Sequence, residues 1–414
     1  GGMRMAAVFM DTPIEALCKR VTSGSTPLRS RADYYDGGTI DWYKTGELDD
    51  WYLDPAGERI TARALEETSV KLFPANTVLM AMYGDGKTIT NMGMLRFPAA
   101  TNQACCAMLV DEEKCDPRYF FYALKGRRDL LLKVASGGAQ RNLSGKLIKE
   151  FQLPVPPFPD QQRIAGILSA YDELIENSQR RIKILETMAR ALYREWFVHF
   201  RFPGHENHPR VASTLGDIPK GWEVKKLGDI SSYINRGITP RYDEEGDSFV
   251  INQKCVRDRR LSLEPARRQS KAIPSEKQVC FGDVLINSTG VGTLGRVAQV
   301  YENLENCTVD THVTIARAAR NTDLDFYGCC LLSHQDTFER LGIGATGQTE
   351  LGRASISEIE LVAPPTDVQR QFGKAVKGMR SAAVTYSKQI QNLRRTRDLL
   401  LPRLLSGQIE VGAA

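Results

Sequence analysis

The run Ala81-Met-Tyr-Gly84-Asp-Gly86-Lys87-Thr88 has most of the spacing of a phosphate-binding loop, with Ala in place of the first Gly. That chemistry needs a helix directly after Lys-Thr, because the helix's first N–H groups hold the phosphates. Here Ile89-Thr-Asn-Met-Gly93-Met-Leu-Arg96 follows, β-branched and broken by Gly, and no apolar run ending in an acidic pair comes after it to hold magnesium. We reject it as an ATP site. Gly290-Val-Gly292-Thr-Leu-Gly295 matches a dinucleotide fingerprint after an apolar strand. The next residues, Arg296-Val-Ala-Gln-Val-Tyr301, alternate like a strand where the fingerprint demands a helix. Both stretches read as strand, Gly-rich turn, strand, and such a turn suits close backbone approach to a neighbour such as a DNA phosphate.

Other catalytic chemistry is thin. The pairs Val155-Pro-Pro-Phe158 and Ala363-Pro-Pro-Thr366 lack the preceding amide or carboxylate with which an amino-methyltransferase holds its target amine. His205 and His208 read as solvated loop residues rather than metal ligands, and no catalytic residue or metal ligand is assigned.

Recognition is better served. Arg and Lys neutralise phosphates, and Arg, Lys, Gln and Asn read base edges in the major groove. In the second half, Gln253, Lys254, Arg257, Arg259 and Arg260 run into Arg267, Arg268 and Lys271, and Thr289 and Thr293 lie in the Gly-rich turn. The first half offers Arg29 and Arg31, Lys44 and Thr45, and Lys87. Gln140-Arg141-Asn142 and Gln348-Thr349 sit on matching Gly-rich loops. A solvated charged face is the plain reading of any one such cluster. Equivalent loops on two copies of a unit favour a nucleic-acid contact.

The duplication itself is the strongest long-range signal. Gly138-Ala-Gln140 through Pro156-Pro157 and Gln162-Arg163 echoes Gly344-Ala through Pro364-Pro365 and Gln369-Arg370. The offset is 208 residues, with a single deletion after the Pro-Pro pair making it 207. Gly24-Ser-Thr-Pro27 likewise echoes Gly237-Ile-Thr-Pro240. Each copy ends in a helical pattern. Ile164, Leu168, Tyr171, Ile175, Ser178, Ile182, Leu185, Ala189, Leu192 and Trp196 alternate steps of three and four. So do Phe372, Val376, Met379, Ala383, Tyr386, Ile390, Leu393, Arg397, Leu400 and Leu404. This is a coiled-coil seam, out of character only at Ser178 and Arg397. Asp160 suits a cap for the first helix and Thr366-x-x-Gln369 a capping box for the second. About 37 residues at 1.5 Å each give a rod of about 55 Å, too long to lie on its own domain, so antiparallel pairing of the two helices is expected.

The fold expected is therefore α+β: two β-rich domains of similar fold separated by a long antiparallel two-helix coiled coil. The boundaries read as a domain over residues 1–157, a central helix over 158–202 and a polar Pro/Gly linker over 203–220. A second domain over 221–365 and a distal helix over 366–414 complete the chain. Shorter helices are expected near Arg118–Lys125 and Phe326–Leu341. With 414 residues and a formal charge of +5, the chain is an ordinary globular composition, and positive charge must be concentrated to meet DNA. Nine cysteines without a Cys-x-x-Cys pair, and no apolar run of the ~20 residues a bilayer needs, suit a reduced cytoplasmic protein with no membrane contact.

At this point the chain resembles the specificity (S) subunits of type I restriction-modification enzymes. The residues that carry the likeness are Ile218-Pro219-Lys-Gly221-Trp222-Glu223-Val-Lys-Lys-Leu227-Gly228-Asp229-Ile230, which open a target recognition domain in that family. Leu153-Pro-Val-Pro156-Pro157 through Asp160-Gln161-Gln162-Arg163-Ile164 and Leu399-Leu-Leu-Pro402-Arg-Leu-Leu-Ser-Gly407 go with them. The first copy departs by opening Thr12-Pro-Ile-Glu-Ala-Leu17. The resemblance implies a non-catalytic subunit whose two target recognition domains each bind one half of a split site on double-stranded DNA. It implies two adenine methyltransferase (M) subunits docked on the helices and nuclease/translocase (R) subunits joining them. S-adenosylmethionine, ATP and magnesium would sit on those partners, with no cofactor on this chain. A standalone two-domain DNA-binding regulator is the alternative. It needs no partner, whereas Ile167, Leu174, Ile184 and Phe197 lie off the seam as apolar docking candidates.

Overall fold

Val78–Ala81 and Val284–Asn287 are buried along their whole lengths, as a short apolar run bounded by turn residues demands of a central strand. Successive side chains leave opposite faces of such a strand. Val78 and Met80 accordingly join the cluster with Tyr119 to Leu124, while Leu79 and Ala81 join Tyr43 and Phe73 on the other face. Val284 and Ile286 pack with Phe326 and Tyr327, and Leu285 packs with Ile251 and Val309.

The computed structural model describes residues 8–84, 88–135, 142–342 and 350–411. It divides into two units, Gly1–Ser178 with Gln389–Ala414, and Gln179–Lys388. In the first, a four-stranded sheet runs in the order Cys18–Ser23, Cys105–Val110, Val78–Ala81, Met92–Met94. In the second, the order Ser231–Arg236, Val313–Ala318, Val284–Asn287, Val297–Gln299 repeats it. The likeness extends to the bulge, which falls between Cys18 and Arg20 and again between Ser231 and Tyr233. Three-stranded sheets recur too, with Ile40–Tyr43 and Ser248–Ile251 as their central strands. The expected α+β class and duplicated plan are therefore what the chain forms. The expected shorter helices are present as Pro117–Gly126 and, broken at His334, as Leu324–Ser333 and Gln335–Leu341. Residues 203–220, read as a bare linker, contain a hairpin pairing Arg210–Ser213 with Gly216–Pro219.

The long helices are Phe158–Tyr193, continued by a π-turn over Arg194–Val198, and Thr366–Leu405. All twenty seam positions are buried or half-buried. In the second unit Arg181 meets Tyr386 (2.8 Å) while Tyr193 packs on Phe372, so the two segments run antiparallel there. In the first unit Ile164 and Leu168 share a core with Leu401, Leu404 and Leu405. The two odd seam residues have local reasons. Ser178 Oγ donates to the Leu174 carbonyl (2.8 Å), and Arg397 forms an ion pair with Asp172, which also accepts from Tyr122 Oη (2.5 Å).

Three finer expectations need correction. The first helix starts at Phe158, so Asp160 lies inside its first turn and pairs with Arg163 (3.0 Å) instead of capping it. Thr366 and Gln369 form no capping box. Gln369 Oε1 accepts from Asp323 N–H (3.0 Å), its Nε2 donates to the Pro364 carbonyl (2.8 Å), and the Thr366 hydroxyl donates to the Asn321 carbonyl (3.4 Å). Gln161 does the same with Asp116 N–H (3.0 Å) and the Pro156 carbonyl (3.0 Å). Gln161, not Gln162, is thus the counterpart of Gln369, and the repeat offset stays at 208 through the Pro-Pro pair. In both copies this amide ties the helix to the Asp that caps the domain's own helix.

Asp172 is 3% exposed, so removing its partner leaves a buried charge, which costs ~3–5 kcal/mol. Arg397→Ala is expected to lower stability by that amount in denaturant unfolding. Arg397→Met combined with Asp172→Leu and Tyr122→Phe, which also removes the buried hydroxyl that Asp172 accepts from, is expected to lose much less, since a buried polar set exchanged for apolar groups is often near neutral. Equal losses in both variants would mean that packing, not charge, dominates at this position.

Candidate nucleic-acid interface

Four loops meet at one end of each four-stranded sheet, and the backbone that joins them is wired alike. In the first unit Met82 N–H donates to the Ala104 carbonyl (2.9 Å), Leu143 N–H to the Met82 carbonyl (2.9 Å), and Ser25 N–H to the Thr101 carbonyl (2.9 Å). In the second, Ser288 N–H donates to the His312 carbonyl (2.8 Å), Leu351 N–H to the Ser288 carbonyl (2.9 Å), and Ile238 N–H to the Val309 carbonyl (2.9 Å). The glycine of each Gly-x-Thr-Pro turn is explained here. A Cβ on Gly24 would stand 2.1 Å from the Thr101 carbonyl oxygen, and one on Gly237 would stand 1.7 Å from that of Val309. No side chain fits.

Because the frame is built from backbone, its side chains are at liberty to differ between copies. The first unit presents Thr26, hydrogen-bonded to the exposed Gln103, and Tyr83, 44% exposed, directly after Met82 of the shared wiring. The second presents Thr289, whose hydroxyl meets His312 Nδ1 at 2.7 Å, and the pair Arg236 to Glu350 (2.8 Å). Thr293 hydrogen-bonds back to the Thr289 carbonyl (3.3 Å), closing the Gly-rich turn. Asp310 accepts from His312 N–H (2.9 Å), and burial pushes its carboxyl above the usual range. These sets of donors and acceptors suit base edges. Thr26, Tyr83, Gln103 and His312 were not singled out from the sequence. Placing Thr101-Asn-Gln-Ala104 against Val309-Asp-Thr-His312 at the 208 offset would have found two of them.

The sequence-derived candidates have varied surroundings. Arg29 stacks on Tyr35 and Trp42 (4.9 and 4.8 Å to the ring centroids) and pairs with Glu58, which Lys44 also reaches (3.1 Å). That hydrogen bond from Arg29 holds the Glu58 carboxyl below its usual range. Arg31 is bound to Asp33 (2.6 Å) and Glu67 (3.3 Å), which Arg63 shares, so this cluster carries no net charge. Thr45 and Gln253 open equivalent single turns, Thr45–Glu47 and Gln253–Cys255. Asn142 and Lys254 are exposed. Lys87, Gln140, Arg141, Gln348 and Thr349 lie outside the described residues. Arg257 is 76% exposed on its side chain beside Asp258 (3.7 Å), whereas Arg260 grips Glu186 of the long helix through two 2.7 Å bonds. Lys and Arg number 30 against 25 Asp and Glu in the second unit and 25 against 25 in the first, so the whole positive excess lies in the second.

Of the apolar docking candidates, Ile167, Leu174 and Ile184 are exposed (39%, 50% and 58%), and Met188 joins them at 49%. Phe197 is a correction. It is 6% exposed, packed on Phe326, Phe372 and Trp222. The π-turn over Arg194–Val198 inserts an extra residue into the helical turn, so Trp196 and Phe197 both face the core and Val198 faces out. Strand Met92–Met94 follows the first rejected nucleotide motif and strand Val297–Gln299 the second, and among the described residues neither motif leads directly into a helix. His205 and His208 are taken up by the carbonyls of Phe202 and Lys220 (2.8 Å each). Among the described residues no helix is long and apolar enough to cross a membrane.

Comparison with known proteins gives consistent findings. A family model described as the type I restriction modification DNA specificity domain matches residues 12–187 and again 219–393. The type I restriction enzyme MjaIX specificity subunit of Methanocaldococcus jannaschii is 27% identical over 409 residues, covering 94% of this chain and 91% of that protein. The EcoR124I/EcoR124II specificity subunit of Escherichia coli is 27% identical over 155 residues, covering 36% of this chain and 38% of its own. The crystal structure of a type I restriction-modification S subunit from M. genitalium shares the fold, with a TM-score of 0.59 and 17% identity over 98% of each chain.

Proposed function

This chain belongs to the type I restriction-modification DNA specificity family, and from that premise we propose that each of its two domains reads one half of a split, asymmetric site on double-stranded DNA. As a specificity subunit it is the non-catalytic, DNA-recognising component of a restriction-modification complex. The observation that carries the reading is the repeated loop frame with unlike side chains. Two copies of one scaffold that present Thr26 and Gln103 in one case and Thr289 and His312 in the other suit two different half-sites. The paired helices act as the ruler that fixes the gap between them.

The partners are methyltransferase and nuclease/translocase subunits, two of the former. S-adenosylmethionine, ATP and magnesium belong to those partners, and the chain itself contributes no catalytic cofactor site. The assembly works in the cytoplasm. The target adenine is flipped into the methyltransferase pocket, since chemistry on a stacked base is sterically blocked. The chain's own DNA-binding residues are drawn from both loop frames, with Arg29, Lys44, Asn142, Lys254 and Arg257 as flanking contacts. Reconstituting the chain with its methyltransferase subunits and mapping the adenines methylated in a random-sequence duplex library tests the whole reading. A two-part motif of fixed gap is expected, and methylation without sequence preference would overturn it.

The standalone regulator is disfavoured by the exposed Ile167, Leu174, Ile184 and Met188, which a charged solvent face would not carry. Leu174→Glu with Ile184→Glu is expected to weaken capture of the methyltransferase subunits at least tenfold in a titration while leaving the thermal midpoint unchanged, both side chains being already exposed. Unchanged capture would place the docking surface elsewhere.

A further inference from the structure

Arg257-Asp258-Arg259-Arg260 forms the tip of a hairpin in the second unit, with Val256–Arg257 paired to Arg260–Leu261. Its feet, Val256 and Leu261, are rooted in the apolar core beside Leu285 and Ala298. Asp258 and Arg259 both have φ in the left-handed region, +51° and +59°, and they are the only two consecutive non-glycine residues there among those described. A two-residue hairpin loop of this kind favours glycine at its second position, which is where Arg259 stands. Arg259 Nε is also buried without a hydrogen-bond partner. A strained, large, charged side chain is being held where a small one would be easier.

The first unit shows what this position looks like when it only packs. At the 208 offset Asp258 corresponds to Asp50, also left-handed at +56°, and Arg259 corresponds to Trp51. Asp50 is bound by Arg128 and lies 4.0 Å from Lys125. Trp51 is 9% exposed in the core and donates from Nε1 to Glu176 of the first long helix (3.2 Å). In the second unit the aromatic anchor is gone. Its next neighbour, Arg260, takes over the tether to the helix through the paired bonds to Glu186, while Arg257 and Arg259 flank an Asp258 that is 85% exposed.

We infer that the 256–261 hairpin is a DNA-probing finger unique to the second unit: Arg259 reads a guanine edge in the major groove, Arg257 meets a flanking phosphate, and Arg260 with Glu186 fixes the finger's aim. The inference rests on the specificity reading above. The groove admits a two-stranded ribbon, and an arginine fork on guanine O6 and N7 is the commonest specific contact made there. Arg260 and Glu186 are positioning residues. Their charge is spent on each other, and their fork-to-carboxylate geometry fixes direction as well as distance.

The test uses the full chain in its methyltransferase complex on the random-sequence duplex library, with a thermal melt of each variant. Arg259→Gly relieves the backbone and is expected to keep or raise the melting midpoint. It should lose roughly tenfold to a hundredfold discrimination at one base of one half-motif, the range a single bidentate contact supplies. The other half-motif should stay intact. Arg260→Ala and Glu186→Ala should blur the same half-motif, and the exchanged pair Glu186→Arg with Arg260→Glu should restore it. A wild-type motif from Arg259→Gly would overturn the finger. Equal weakening on all duplexes, with a shallower salt dependence, would overturn base reading by showing that the tip meets phosphate alone. No motif from the wild-type complex would instead sink the specificity reading itself.

Discussion

Removing Gln179–Leu185 together with Ala383–Gln389 is expected to shorten the gap in the recognised site by about three base pairs and to leave both half-motifs unaltered. Both segments lie where the long helices pair with each other, around the Arg181 to Tyr386 contact. Seven residues are two steps of the 3-4 seam, so the remaining seam positions keep their phase. Seven residues at 1.5 Å shorten each helix by about 10 Å, and B-DNA rises ~3.4 Å per base pair. On the parent site the shortened protein can seat one domain at a time, so binding should fall toward the non-specific level, a loss of 10³-fold or more. Methylation mapping with the shortened chain reads both results at once, with the methyltransferase subunits supplied in excess because the deletion also removes the exposed Ile184. A parent gap retained after a deletion that leaves the protein folded would end the ruler reading.

The helices were legible because their burial follows one rule. A face that must stay covered over some ten turns has to repeat every three and four residues, and every seam position picked from the sequence is covered. Phe197 escaped that rule because one π-turn resets the phase, and nothing in Tyr193-Arg-Glu-Trp-Phe197 announces it. The repeat was visible through Gly24 and Gly237, whose positions are dictated by carbonyl oxygens closer than any Cβ allows. The interface residues were less visible for the complementary reason. A frame wired through backbone leaves no signature in side chains, so Gln103 and His312, near neighbours in the repeat, have nothing in common as letters. Charge was only partly legible. Asp33 stands two residues from Arg31 and was in plain view, but Glu58 reaches Arg29 and Lys44 from 29 and 14 residues away and Glu67 reaches Arg31 from 36, and no local window holds those pairings.

The same contrast separates the residues that hold the fold from those that face outward. Residues that hold the frame, such as Gln161 and Gln369, act through backbone groups and are alike in the two copies. Residues that face outward at the loop ends are tied mainly to one another, Thr26 to Gln103 and Thr289 to His312, so each pair can be exchanged at little cost to packing.

Gln103→Ala with Tyr83→Ala therefore has a large and confined expected effect. Both side chains are exposed at the loop end of the first unit, so truncation opens no cavity and stability should change by less than about 0.5 kcal/mol. Each lost base contact is worth ~1–3 kcal/mol and separated contacts add, so the pair should relax one half-motif by roughly 10²- to 10³-fold. The His312→Ala variant, made in the second unit, should relax the other half-motif and leave the first alone. The decisive measurement is the methylated motif from each variant complex on the same duplex library. Loss in both half-motifs from either variant would mean that the two loop frames do not read separately. An unchanged motif from Gln103→Ala with Tyr83→Ala would move base reading away from this end of the sheet, because the exposed polar side chains that the shared frame displays there would then be idle.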